Sequence, residues 1–235
     1  MEHSSNTNAK HVDFNSVTIG DIPVPLSSHA RNLGVIFDNH LSMERQINNL
    51  IKTLNYEMRR IAKMKSFLTT ESLRTLVCSL VLSRLDYCNS LLAGLPDKLI
   101  NKLQRLQNNA ARLVLGKTIF DSPTEMLIRL HWLPIKARII YKISLFCYKS
   151  IIDHSAPVYI DELLSLHQSV KSLRSNSSNL LSVPRTKTKT FGDRAFGSFG
   201  PKTWNSLPLS IRNSSSPDVF KKNLKTHLFN IHLMN

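Results

Sequence analysis

The 235-residue sequence is poor in glycine and cysteine, and it contains no long apolar run. Its 7 glycines are scattered, which excludes a glycine-rich phosphate-binding loop. Its 3 cysteines form no C-x-x-C pair, so neither a zinc site nor a disulfide framework is expected, and a reducing intracellular compartment is indicated. No apolar stretch approaches the ~18–20 residues that cross a bilayer, and the polar start MEHSSNTNAKHVDF predicts no secretory signal.

Acidic residues are also scarce, and they are not grouped as metal-dependent catalysis requires. The sequence has no Asp-Asp and no Asp-x-Asp, and its one adjacent acidic pair, Asp161-Glu162, is typical of the first turn of a short helix. No nucleophile motif and no histidine pair at helical spacing is present. Asp86-Tyr87-Cys88 is interpreted as helix packing with a local charge contact to Arg84. The sequence therefore predicts no catalytic site, no metal site and no cofactor.

Positive charge is the strongest feature that is present. The net charge is +15, and it changes from −2 over residues 1–40 to +8 over 41–117 and +9 over 118–235. Such a field favours phosphate backbones or anionic membrane surfaces, although it indicates no sequence preference.

The apolar pattern predicts a mainly α fold with a short N-terminal β-hairpin and strand, a helical bundle, and a further helical and irregular C-terminal region. The hairpin turns at Gly20-Asp21, and LGVIFD (33–38) forms the strand. Six helices follow, because apolar residues recur at three- and four-residue steps. They are expected from Ser42, from Thr70 to Ala93, from Pro96 to Leu115, from Ser122-Pro123, from Pro134 to about Ile152, and from Ser216-Pro217 with Phe220, Leu224, Leu228 and Ile231 buried.

These elements divide the chain into six segments. Residues 1–16 are predicted to be a disordered N-terminus, 17–40 a sheet remnant, 41–117 a helical bundle and 118–164 a helical connector. Residues 165–190 form a basic Ser/Thr-rich loop, and 191–235 combine an irregular aromatic segment with the last helix.

Basic side chains recur on one face of two of these helices. At ~100° per residue, the spacings place each set within a narrow stripe opposite the apolar face. The first stripe contains Arg45, Lys52, Arg59 and Lys63, flanked by Tyr56 and Arg60; the second contains Lys98, Lys102, Arg105 and Arg112. A solvated face usually mixes signs, so contact with phosphates is favoured over mere solvation, and membrane binding is disfavoured because the apolar faces are needed in the core.

The stretch LHWLPIKARIIYK (130–142) resembles an active site only at first sight. His131 has no second ligand or nucleophile near it in the sequence. Trp132 and Leu133 are expected to fill a corner between two helices, and Pro134 sets the first turn of the second of them. The basic residues that follow, Lys136, Arg138 and Lys142, are expected to be exposed and available to phosphate.

Several motifs in this order resemble non-LTR (LINE-type) retrotransposon reverse transcriptases. They are RNLGVIFD (31–38) before a long amphipathic helix, SRLDYCNSLLAGLP (83–96), LHWLPIKARIIYK, GDRAF (192–196) with WNSLP (204–208), and FKKNLKTHLF (220–229). Together they cover residues 17–230. The resemblance implies an RNA-directed DNA polymerase, in which Leu33 and Gly34 would belong to the primer grip and residues from about 41 to 116 to the thumb that holds template and primer.

This sequence departs from the family in one decisive respect. The catalytic Ala-Asp-Asp motif and its partner aspartate lie upstream of the matching region in that family, and so does the endonuclease; none of them is present here. A Mg²⁺ ion would be expected only in an intact polymerase.

The leading hypothesis is a non-polymerising C-terminal fragment that binds RNA, DNA or an RNA–DNA hybrid. Two alternatives stay open. The chain is either a relic that serves as a protein–protein module or has no function, with self-association through the uncovered edge at 17–38, or one part of an intact enzyme.

Overall fold

The computed structural model describes residues 16–25, 27–167 and 179–234. All of the predicted disordered N-terminus except Ser16 lies outside these residues, as do residues 168–178 of the predicted basic loop.

Two antiparallel hairpins open the described chain. The first pairs β1 (Ser16–Ile19) with β2 (Ile22–Pro25) around Gly20-Asp21, which confirms the predicted turn. The second pairs β3 (His29–Asn32) with β4 (Val35–Asp38). The predicted strand is β4, but its partner β3 was not predicted, because HARN lacks the alternating apolar residues that indicate a strand. Leu33 and Gly34 form the turn between them and are not part of the strand.

A helical bundle follows, as predicted. Its long helices are α1 (Glu44–Met64) and α4 (Asp97–Leu115), and α2 (Thr70–Val77) and α3 (Ser83–Asp86) lie between them, joined by a π-helical turn at Cys78–Leu82. The helix expected to reach Ala93 ends at Asp86. Tyr87 is extended, Cys88 is left-handed with φ 52°, and Asn89–Leu92 form a 3₁₀ turn. No stop signal is present at Asp86, since residues 70–93 contain neither glycine nor proline.

Local capping signals predicted the middle of the chain well. Gly116 is left-handed and ends α4, and the Ser122 side chain accepts the amide of Glu125 at the start of α5 (Pro123–Leu130). Helix α6 (Ile135–Ile151) begins directly after Pro134. Trp132 and Leu133 are buried between α5 and α6, which confirms the predicted corner.

The predicted irregular segment after Phe191 is largely helical, which corrects the prediction. It contains α8 (Phe196–Asn205) and α9 (Leu209–Arg212). Earlier in the chain, the short helix α7 (Val158–Asp161) follows α6. Two glycines and Pro201 within α8 suggested a break. Instead, Gly200 lets α8 approach α6 closely, because a Cβ there would lie 3.3 Å from the sulfur of Cys147.

The last helix, α10 (Pro217–Phe229), begins at Ser216, whose side chain accepts the amide of Val219. Phe220 and Leu224 are fully buried, but Ile231, predicted as part of the buried stripe, is exposed. A π-helical turn at Asn230–Met234 follows α10. Because its turns are wider than those of an α-helix, Ile231 no longer lies on the face that Phe220, Leu224 and Leu228 share.

The buried side chains form one contiguous cluster from Val35 to Leu233. The second hairpin and the C-terminal helices therefore share a core with the bundle. Within the described ranges, none of the helices combines the length and the apolar character that a bilayer crossing requires. Among the same residues, no three His, Cys, Asp or Glu side chains are grouped as a metal ion would need.

Candidate nucleic-acid interface

Helices α1 and α4 pack side by side and run in the same direction. Near their beginnings, Lys102 Nζ lies 3.3 Å from Glu44 Oε1. Near their ends, Lys65 lies beside Gly116, with its Nζ 3.5 Å from where a Cβ would stand. The apolar faces of both helices enter the core, so their basic stripes lie on one outer surface of the bundle.

The stripe on α1 is exposed along its whole length, as predicted. Lys52, Arg59 and Lys63 have no ion-pair partner in the described part of the chain. Arg45 contacts the His29 ring at 3.2 Å. Arg60 lies 5.8 Å from the Tyr56 ring centre and pairs with Glu57 at 3.2 Å. Most of this stripe therefore carries positive charge that forms no ion pair with the residues the structure describes.

The stripe on α4 is less free than the sequence suggested. Lys98 and Arg105 are exposed and lack an ion-pair partner among the described residues. Lys102 is half-buried and shared between Glu44 and Asn48, both at 3.3 Å. Arg112 donates to the carbonyl of Thr118 at 3.0 Å and to Asn109 Oδ1 at 2.9 Å. Lys102 and Arg112 are thus already engaged by protein groups. The sequence could not predict this, because helix periodicity does not show which groups a neighbouring element places beside a stripe.

A groove of about 340 Å³ runs between the two helices. Asn48, Ile51 and Asn55 line its α1 side, and Lys102, Arg105, Leu106 and Asn109 line its α4 side. Amide groups and cations are the side chains that proteins use to bind phosphate and sugar oxygens. The groove is flanked by the α1 stripe, so the two helices present one continuous basic and amide-rich surface.

The Leu33-Gly34 turn lies at the exposed tip of the second hairpin. Leu33 has φ 46° and Gly34 φ 83°, the positive pair of a two-residue type I′ turn. Leucine rarely adopts this conformation, and the Leu33 side chain is also 83% exposed. The Tyr87 hydroxyl donates to the Leu33 carbonyl at 2.7 Å, which fixes the turn to the end of α3. A strained and exposed apolar residue held in place is typical of a contact site.

Two side chains attach this hairpin to α1. The Gln46 side chain accepts the amide of Ile36 at 2.9 Å. The Asp38 carboxylate accepts from the amides of Ser42 and Met43, both at 2.9 Å, and from the Ser42 hydroxyl at 3.0 Å. Burial raises the pKa of Asp38, but the hydrogen bonds from Ser42, Met43 and His40 outweigh it and lower the pKa below its ordinary value. These bonds make one connected unit of the second hairpin and α1.

Arg194, in the GDRAF motif, ties the C-terminal region to this unit, and sequence reasoning missed it. Its guanidinium donates to the carbonyls of Leu41 at 2.8 Å, Ala93 at 3.0 Å and Leu91 at 3.4 Å. Burial lowers the pKa of Arg194, and the charge of Asp38 opposes that shift. No local signal could have identified it, since its acceptors are backbone groups about one hundred residues or more away.

Two predictions about the apparent acid–thiol site need correction. Asp86 pairs with Arg138 at 2.7 Å, whereas the expected partner Arg84 pairs with Glu57 at 3.4 Å. Arg138 was expected to be exposed, but only 14% of its side chain is accessible, and it also donates to the Leu133 carbonyl at 2.8 Å. Asp86 thus fixes the start of α6 against α3 and has a structural role there.

No family model, curated protein or solved structure matches this chain. The assignment of a function therefore depends on the charges, the groove and the motifs themselves.

Proposed function

We propose that the chain is a non-catalytic C-terminal fragment of a retrotransposon reverse transcriptase and binds an RNA–DNA template–primer through α1 and α4. The observation that supports this most is the groove between the two helices, where amide and cationic side chains accompany Ile51 and Leu106. Beside it lie Lys52, Arg59 and Lys63, which have no ion-pair partner among the described residues. These groups suit a phosphate backbone, for which they need no base-specific geometry. The motif resemblance supports the same function, with Leu33 and Gly34 as primer-grip residues.

The relative placement of the two regions is compatible with that proposal. The Leu33-Gly34 turn is fixed to α3 by Tyr87 and to α1 through Gln46 and Asp38. A duplex held along α1 and α4 would thus have the hairpin tip anchored to one of its two helices, α1, and to the end of α3. The chain has no grouped carboxylates in its sequence, so the proposed role is to hold nucleic acid without polymerising it.

Binding of a labelled RNA–DNA hybrid, measured by fluorescence anisotropy at 50 and 200 mM salt, tests this proposal. Four to five phosphate contacts should weaken binding by roughly 10²–10³-fold over that range, because each contact releases counterions. Lys52→Glu should weaken binding at both salt concentrations. Lys222→Glu, an exposed lysine on α10, is the matched control and should leave binding nearly unchanged. Salt-independent binding, or equal effects of the two variants, would contradict the proposal, as would Mg²⁺-dependent polymerisation by this chain alone.

A protein-interaction module is the second candidate, and exposed apolar residues on the hairpins favour it. Ile19 and Ile22 face each other at the end of the first hairpin and are 68% and 69% exposed. An exposed apolar edge of this kind favours pairing with another chain. Sedimentation analysis of the native chain and of Ile22→Asp distinguishes the two candidates: a dimer that the substitution dissociates, together with no hybrid binding, would favour this one.

A further inference from the structure

A second cavity in the described part of the chain lies away from the α1–α4 groove and shares no residue with it. It has a volume of about 540 Å³, in the range typical of small-molecule sites. Its walls come from α2, α3, α6 and α10 and from the corner at Trp132. Residues from five places in the sequence therefore converge on one concavity.

Four cationic side chains and one carboxylate line this cavity. They are Arg74, Arg138, Lys142 and Lys225, with Asp86 as the acid. Asp86 neutralises Arg138 at 2.7 Å. No carboxylate among the described residues forms an ion pair with the other three. Three like charges gathered in a partly enclosed site repel one another, and an anion bound between them would remove that repulsion.

Two of these cations are held in position by other contacts. The Arg74 guanidinium donates to the Leu130 carbonyl at 3.3 Å. Lys142 Nζ lies 5.4 Å from the centre of the Phe146 ring. Lys225 lies on α10, is exposed, and lines the same cavity. The charges are thus supplied by three helices whose positions the core fixes, which distinguishes the site from a mobile surface patch.

The rest of the lining suits the non-phosphate part of a ligand. Trp132, Leu133 and Leu82 contribute apolar surface. Asn89 also lines the cavity and is only 4% exposed, yet its side-chain oxygen has no hydrogen-bond partner. Its amide nitrogen donates to Asp86 at 3.4 Å. The described residues therefore leave one polar group of this wall unsatisfied.

We infer that this cavity binds a phosphorylated ligand of nucleotide size, with Arg74, Lys142 and Lys225 around the phosphate and Trp132 and Asn89 near its base or sugar. Arg138, already paired with Asp86, positions the wall. The phosphate has two possible sources, a free nucleotide or the terminal phosphate of a strand. This inference does not depend on hybrid binding by α1 and α4, since the two sites have no residue in common.

Isothermal titration of the full chain with AMP, ATP and inorganic phosphate, without added metal, tests the inference. The quenching of Trp132 fluorescence provides a second signal, although Trp204 must be subtracted with a Trp204→Phe variant. Micromolar to low-millimolar binding of AMP or ATP is expected. Lys225→Gln should weaken it at least tenfold, and it should not disturb folding because Lys225 is exposed. Lys222→Gln, also exposed on α10, is the matched control and should bind like the native chain.

Two oligonucleotides identify the source of the phosphate. A 5′-phosphorylated single strand that binds in a Lys225-dependent manner, while its unphosphorylated form does not, would assign the site to strand ends. The inference is overturned if none of the nucleotides, phosphate or phosphorylated strand binds below about 5 mM, or if Lys222→Gln and Lys225→Gln weaken binding equally. Lys52→Glu should leave AMP binding unchanged while it weakens hybrid binding, so that failure at one site is distinguished from failure at the other.

Discussion

The hydroxyl of Tyr87 donates to the carbonyl of Leu33 at 2.7 Å across 54 residues. This bond joins the segment that follows α3 to the tip of the second hairpin. Leu33 lies in RNLGVIFD and Tyr87 in SRLDYCNSLLAGLP. Their contact gives the tyrosine a physical role, which is to hold a strained turn in place.

Tyr87→Phe tests that role. The substitution removes one hydrogen bond at a largely exposed position, so the free energy of unfolding should fall by only about 0.5–1 kcal/mol. The hairpin should loosen locally even though the whole chain is destabilised little, so the amides of Val35 and Ile36 should exchange faster with solvent. Urea unfolding and hydrogen–deuterium exchange measure the two quantities. Unchanged exchange in β4 would show that Gln46 and Asp38 are sufficient to hold the turn.

Gly94→Ala should destabilise the chain for two separate reasons. Gly94 has φ 65°, and a Cβ there would lie 2.7 Å from Cγ of Arg194. Cγ belongs to the fixed stem of a side chain whose guanidinium has three backbone acceptors, so it cannot move without loss of those bonds. We expect a cost of about 1–2 kcal/mol from the backbone conformation alone, and more with the steric contact.

A double-mutant cycle separates these two contributions. Arg194→Ala should itself cost about 2 kcal/mol, because charge-assisted hydrogen bonds to three backbone carbonyls are lost. In that background Gly94→Ala should cost less than in the native chain, since only the unfavourable φ remains. Equal costs in both backgrounds, measured by chemical denaturation, would show that Arg194 does not constrain Gly94.

Asp38 should make stability depend on pH in the acid range. Its pKa is lowered in the folded chain, so the carboxylate stabilises the fold above its unfolded pKa of about 3.9, and this contribution is lost as the pH falls through the folded value. Asp38→Asn should cost about 1 kcal/mol at pH 7, because the hydrogen bonds that the carboxylate accepts from Ser42 and Met43 are weakened. The difference between variant and native chain should shrink below pH 4. Denaturation curves at pH 7, 5 and 3 measure it, and a constant difference would contradict the prediction.

Lys102 and Arg105 should differ in their contribution to nucleic-acid binding. Arg105 has no ion-pair partner among the described residues, whereas Lys102 pairs with Glu44 and Asn48. Arg105→Gln should lower hybrid affinity and reduce the slope of log K against log salt by about 1. Lys102→Gln should change both less and lower stability by under ~1 kcal/mol. Equal effects in anisotropy titrations would show that the Glu44 pair opens on binding.

Cys147 should resist thiol reagents in the native chain. It is fully buried, and burial raises its pKa to about 12, so almost no thiolate is present at pH 8. Peptide mass spectrometry after iodoacetamide treatment should find Cys147 unmodified until denaturant is added. If Cys147 of the native chain were modified as fast as in urea, α8 would have to separate from α6.

The motifs that carry the family resemblance have structural functions in this chain. The Asn205 side chain exchanges two hydrogen bonds with the backbone of Leu181, at 2.9 and 2.8 Å. The indole of Trp204 donates to the Asn179 carbonyl at 2.6 Å. In LHWLP, the Leu133 carbonyl accepts from Gln107 at 2.8 Å. Each of these residues connects segments that are 24 or more positions apart in the sequence.

The sequence alone determined the local features. Helix starts at Ser122 and Ser216, the end of α4 at Gly116 and the turn at Gly20-Asp21 depend on hydrogen bonds and φ angles within a few residues. The mainly α fold and the exposure of the α1 stripe also followed from periodicity, because one buried face implies the position of the opposite face.

Only the tertiary structure decided which charges are free and where they meet. Glu44 reaches Lys102 from another helix, and Asp86 pairs with Arg138 and not with its neighbour Arg84. Likewise, Arg74, Lys142 and Lys225 line one cavity although some 150 positions separate the first from the last. Such relationships arise when packing of the shared core brings distant segments together. The energy of an ion pair depends on the distance between the charges and on their burial. Helix periodicity specifies neither quantity for residues on different elements, so these pairs cannot be predicted from the local sequence.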